Sequence, residues 1–84
     1  MKQKKEPDMV LIKELKIRLL PDKNMTEDIS NLTSIRDLKN MFIEKMSLDL
    51  QPENIRFFCL GKELQDDLFL YSYDIKDEMA IQCM

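Results

Sequence analysis

The chain has 84 residues, 44% of them hydrophobic, which suffices for one compact core and excludes a second. A domain of this size buries only about 60% of its unfolded surface, so a deep catalytic cleft would take atoms from a core with none to spare. The formal charge of −3, from 13 basic and 16 acidic residues well interspersed, gives no strong attraction to a phosphate backbone, and nucleic acid is not the expected partner.

Lys2, Lys4 and Lys5 stand close together ahead of Glu6, Pro7 and Asp8, and residues 1–12 read as a flexible, solvated N-terminal leader. The run Met9-Val10-Leu11-Ile12 falls far short of the roughly 18 apolar residues of a membrane span, and too short for a secretory signal. The expectation is a soluble intracellular protein, cytoplasmic or nuclear, with no membrane partner.

From Leu15 to Leu20 the residues alternate, with Leu15, Ile17 and Leu19 on one face of a half-buried strand. Pro21-Asp22-Lys23-Asn24 carries turn chemistry: a fixed φ at Pro21, and side chains at Asp22 and Asn24 that bond nearby backbone. The returning strand, Met25 to Ile29, keeps the alternation but places Glu27 on the apolar side, which suits a sheet edge.

Ser34-Ile35-Arg36-Asp37 has the form of a capping box and starts a helix. Ile35, Leu38, Phe42 and Met46 recur on its apolar side, with Arg36, Lys39, Asn40, Glu44 and Lys45 assigned to the polar one. Pro52 biases Gln51 toward extended angles and marks the helix as already over. A strand from Ile55 to Leu60 follows, then the single glycine of the chain, Gly61, as the tightest turn. Beyond it come a short extended piece at Glu63-Leu64, an irregular stretch with Leu68, Leu70, Tyr71 and Tyr73, and a last strand from Met79 to Met84.

One helix among four to five strands must lie across one face of a mixed sheet, an α+β arrangement. With the first strand between its hairpin partner and the last strand, a β-grasp is the simplest closure. On the third strand Phe57 and Cys59 share the core side, so Phe58 points to the other face; on the last strand Ile81 and Cys83 face inward, leaving Gln82 and Met84 outward. An outward Phe beside an outward Met is an adaptable apolar surface of the kind that receives amphipathic helices. Scattered surface apolar residues, or Phe58 covered by the Met9–Ile12 run, are the alternatives.

Catalytic and metal chemistry find no support. The chain has no His to serve as base or ligand and one Gly, too few for a phosphate cradle; Cys59 and Cys83 have no C-x-x-C spacing and read as free, packed thiols, a disulfide between them being the alternative. Asp66-Asp67 and Asp77-Glu78 read as turn solvation. No cofactor, metal or small-molecule ligand is expected, and no enzymatic activity.

The run Pro52-Glu53-Asn54-Ile55-Arg56-Phe57-Phe58-Cys59-Leu60-Gly61-Lys62-Glu63-Leu64-Gln65-Asp66 resembles the ubiquitin family's P-x-x-Q-R-L-I-F-x-G-K-x-L-x-D segment. Leu70, Tyr73, Ile75 and Ile81 continue the likeness downstream; Leu15, Ile17, Leu19, Ile35, Leu38 and Phe42 continue it upstream, so that residues 13–84 are similar to a ubiquitin-like domain. The resemblance implies a non-catalytic recognition module, monomeric, whose sheet face would be Leu20, Phe58, Gln82 and Met84, with partners such as a ubiquitin receptor or a proteasome subunit. It also implies Lys62 as a possible modification site, although an ordinary exposed turn lysine is the simpler reading. Gln82 stands where ubiquitin has a histidine, and Leu60 falls at a turn position where φ can be positive. The chain ends at Met84 without the diglycine tail of a conjugated modifier, so the expectation is a domain of a longer protein. Alternatives are a truncated modifier and a β-grasp domain used for intramolecular packing or for a GTPase or nucleic acid.

Overall fold

The computed structural model describes residues 7–84. Strands β1 (Leu11–Leu20), β2 (Lys23–Ser30), β3 (Phe57–Cys59), β4 (Lys62–Glu63) and β5 (Ala80–Cys83) form one mixed sheet, and helix α1 (Ile35–Met46) packs across it. The strand order is β2-β1-β5-β3-β4, with β1 and β5 parallel and the other pairings antiparallel. This is the β-grasp arrangement expected from the sequence: β1 lies between its hairpin partner and the last strand, so the helix covers the centre.

The β1–β2 turn needs only Pro21 and Asp22, and the Asn24 side chain donates to the Pro21 carbonyl at 2.9 Å. Edge strand β2 presents Glu27 on the helix side, where its carboxylate lies 2.6 Å from the Lys45 ammonium of α1. That pairing explains how a charge interrupts the apolar side of the strand without being buried alone.

The leader boundary is corrected. β1 begins at Leu11, inside the expected leader, and Ile12 is 2% exposed in the core. Between Ile12 and Leu15, two residues of β1, Lys13 and Glu14, oppose the single residue Asp28, a bulge in which Glu14 takes φ 54° and donates its N–H to the Asp28 carboxylate at 2.9 Å. The extra residue restores Ile12 to the buried side; simple alternation back from Leu15 would have turned it outward. Upstream, Asn31 fixes the segment: its side chain accepts from the Val10 N–H at 2.7 Å and donates to the Asp8 carbonyl at 3.2 Å. Residues 1–6 of the expected leader, with their three lysines, lie outside the described residues.

Helix α1 starts where Ser34 accepts from the Asp37 N–H at 3.0 Å, which is half of the expected capping box. It ends at Ser47, whose left-handed φ of 54° closes the last turn. Its buried residues are Ile35, Leu38, Lys39 and Phe42, and here the polar assignment of Lys39 is corrected. The Lys39 side chain is 5% exposed and its ammonium lies 2.6 Å from the Asp66 carboxylate, with the Phe57 ring centroid 5.9 Å away. Asp66 is therefore the partner of a buried cation, not only a solvated turn residue. Phe42 and Phe57 meet edge to face, centroids 5.9 Å apart, at the junction of helix and sheet. Each contributes about 2–3 kcal/mol through burial.

A 3-10 turn, Pro52–Asn54, leads into β3, and a second, Leu70–Tyr73, fills the way to β5. Among the described residues no helix is long and apolar enough to cross a membrane.

Candidate partner-binding face

Strand parity separates the two neighbouring phenylalanines. Phe57 is fully buried beneath the helix, whereas Phe58 lies half-buried on the opposite face of the sheet. Register then assembles its neighbourhood: Phe58 stands opposite Gln82 of β5 on one side and Glu63 of β4 on the other, and Gln82 stands beside Arg18 of β1. Met84 exchanges backbone hydrogen bonds with Arg56, at 2.8 and 3.0 Å, and is 70% exposed. Leu20, at the tip of the β1–β2 hairpin, is 51% exposed. The structure thus brings Phe58 and Gln82 into direct register and sets Met84 and Leu20 at the ends of their strands. The Met9–Ile12 run does not cover Phe58; Val10 and Ile12 line a hollow with Ile75, Lys76 and Asp77 instead.

Gln82 is held in place, its amide nitrogen donating to the carbonyls of Arg18 at 3.0 Å and Cys83 at 3.1 Å. The amide oxygen is then directed by these donations and can accept from a docked partner. Lys62 opens β4 opposite Cys59 and is exposed. Leu60 and Gly61 connect β3 and β4 with φ of 54° and 80°, the paired positive values of a two-residue type I′ turn, as the turn position of Leu60 suggested.

Two residues that the sequence did not assign to this face also shape it. The Arg56 guanidinium carbon lies 5.2 Å from the Phe58 ring centroid, and Glu63 accepts from Arg56 Nε and Nη2 at 3.1 and 3.0 Å. Hydrogen bonding to Glu63 pushes Arg56 further up from its already high value, and the same bond holds the Glu63 carboxyl below its ordinary one. The signal available was spacing: Arg56 is two residues before Phe58 and so shares its face. Lys16 and Arg18 of β1 extend outward on the same side, with Glu14 and Glu78 bordering a hollow at the Lys16 end. The apolar centre is therefore flanked by Arg18 and Arg56, with Glu63 as its neighbouring carboxylate.

Among the described residues, no group of three or more His, Cys, Asp or Glu side chains is placed to hold a metal ion. Cys59 and Cys83 are buried free thiols, pushed up by burial, and the Cys59 thiol lies 3.4 Å from the Ala80 carbonyl.

Residues 15–84 match the sequence profile of the ubiquitin family. The chain belongs to the ubiquitin family. Among solved structures it is similar to the ubiquitin-like domain of Plasmodium falciparum Dsk2, with a TM-score of 0.74, 24% identity, and coverage of 88% of this chain and 96% of that one. A structure described as molecular mimicry of SUMO promoting DNA repair gives a TM-score of 0.78 at 20% identity, covering 88% and 90%. A protein designed on ubiquitin gives 0.73 at 23%, covering 94% and 90%. At these identities the likeness shows the fold alone. Among curated proteins, none matches the chain by sequence.

Proposed function

We propose that this ubiquitin-family domain is a non-catalytic interaction module that docks apolar, acidic-flanked helical segments of partner proteins on its outward sheet face, with ubiquitin receptors or proteasome subunits as the partner class. The observation that carries this reading is Phe58, an aromatic side chain turned away from the core and set between cations, Arg56 over its ring and Arg18 one strand beyond Gln82. Aromatic anchors of this kind dominate interface energies, and a cationic surround selects carboxylates on the partner. The net charge of −3 speaks against nucleic acid, and a monomer in the cytoplasm or nucleus suits such a module. Lys62, exposed at the start of β4, is a candidate attachment point for a modifier under the same reading.

The test is titration of the isotopically labelled domain with proteasomal ubiquitin receptors. Chemical-shift changes are expected at Phe58, Gln82, Met84 and Leu20, and Phe58→Ala is expected to weaken binding by about 1 kcal/mol or more. Unchanged affinity in that variant would reject the assigned face.

A further inference from the structure

The reading of the sheet face as a docking surface leaves Glu63 unexplained. Its carboxylate occupies the Nε–Nη2 edge of Arg56, the edge that presents two parallel donors to an incoming carboxylate, and so holds the guanidinium over the Phe58 ring. Register enforces the arrangement, because Glu63 is directly opposite Phe58 across the β3–β4 pair and Arg56 is two residues back on β3. Both partners are solvent-accessible, with side-chain exposures of 63% and 36%, so the contact is exchangeable and not a structural strut. Arg56 also borders a hollow of about 390 Å³ together with Glu53 and Glu63, which gives its side chain room to leave the ring.

We infer that Glu63 is an internal stand-in for a partner carboxylate: in the free domain it parks Arg56 over Phe58, and an acidic-flanked helix docks by taking Arg56 from Glu63 and uncovering the ring. This inference rests on the docking face proposed above. It assigns Glu63 to setting selectivity, since an apolar segment without a carboxylate has nothing to exchange for the Glu63 contact and meets a ring still covered. Arg56 is the shared element, paired to the chain itself in one state and to the partner in the other.

The test uses the full chain and synthetic amphipathic helices, apolar on one side and flanked by glutamate, beside the same peptides with glutamine flanks. Glu63→Gln is expected to bind the glutamate peptide about threefold more tightly, the scale of one exposed ion pair, and to help the glutamine peptide less, since that peptide gains only the uncovered ring. Glu53→Gln, which removes the same charge without releasing Arg56, is expected to leave both affinities unchanged, and Arg56→Gln is expected to abolish the gain from Glu63→Gln. Equal or weaker binding by Glu63→Gln, with Phe58→Ala still weakening the complex, would overturn the stand-in and leave the docking face intact. Peptides that perturb neither Phe58 nor Gln82 would remove the face and the inference together.

Discussion

Leu60 combines two unfavourable choices in one residue: a left-handed backbone, φ 54°, and an apolar side chain that is 89% exposed. A non-glycine residue in that conformation costs about 1 kcal/mol through crowding of Cβ against its own carbonyl, and nothing is regained by burial. Asparagine tolerates the angle and would complete the Asn-Gly pair favoured by this turn. Leu60→Asn is therefore expected to stabilise the fold by about 0.5–1 kcal/mol, read from the urea midpoint at unchanged slope. At Glu63 the relevant quantity is protonation. Its carboxyl is held low by Arg56, so the bond is intact above the ordinary glutamate value of about 4.3 and is lost as pH falls through the lower folded-state value. In a carbon-detected titration the Glu63 midpoint is expected to rise in Arg56→Gln; an unmoved midpoint would show that the pair does not persist in solution.

At the scale of the element, α1 is joined to the segment after β4 by Lys39 and Asp66, and the two ends of that bond are unequal. Lys39 is 5% exposed along its side chain whereas Asp66 is 34% exposed. Removing the carboxylate by Asp66→Ala strands a buried cation and is expected to cost about 2–3 kcal/mol, less than a fully enclosed pair because water reaches the Asp66 site. Lys39→Met leaves a carboxylate that solvent can reach and keeps the packing under the helix, so about 1 kcal/mol is expected in the same denaturation assay. Equal losses from the two variants would contradict this asymmetry.

Lys39 also shows where the sequence could be read and where it could not. Ile35, Leu38, Lys39 and Phe42 stand at the spacing of one helical stripe, so position alone placed Lys39 inward; residue type argued the reverse, and the partner that reconciles them lies 27 residues away. Phe57 and Phe58 were separable because strand parity is local and needs no partner. Ile12 was not, since a bulge shifts parity by one and is created by pairing with Asp28, which a single strand does not reveal. The Arg56–Glu63 bond belongs to the same class: both residues were visible, but only the β3–β4 register puts them together.

On the scale of the whole molecule, long-range joins add to the packing of α1 on the sheet. Asn31 ties Asp8 and Val10 to the end of β2, Lys13 donates its N–H to the Asp77 carboxylate at 2.9 Å, and Glu78 returns a bond to the Lys13 carbonyl at 2.8 Å. These contacts lock the start of β1 against the approach to β5. Burial of Cys59 and Cys83 adds an alkaline limit. Their thiols are pushed up, so the folded state favours the neutral form; stability is full below the ordinary thiol value of about 8.5 and declines as pH rises through and above it. The melting temperature is expected to fall above that pH in the parent chain, and a Cys59→Ala, Cys83→Ala double variant is expected to lose this dependence while starting from lower stability.

Cys83 stands opposite Phe57, and Cys59 lies two residues further along β3, so both sulfurs sit on the inner side of the seam between β3 and β5. The chain carries no other cysteine. Cys83 is 1% exposed, so iodoacetamide reaches it as that seam parts, and its labelling half-life becomes a clock for the breathing of the two strands that carry Phe58 and Gln82. A bound ligand on the far side of the same strands would slow the clock without touching either sulfur.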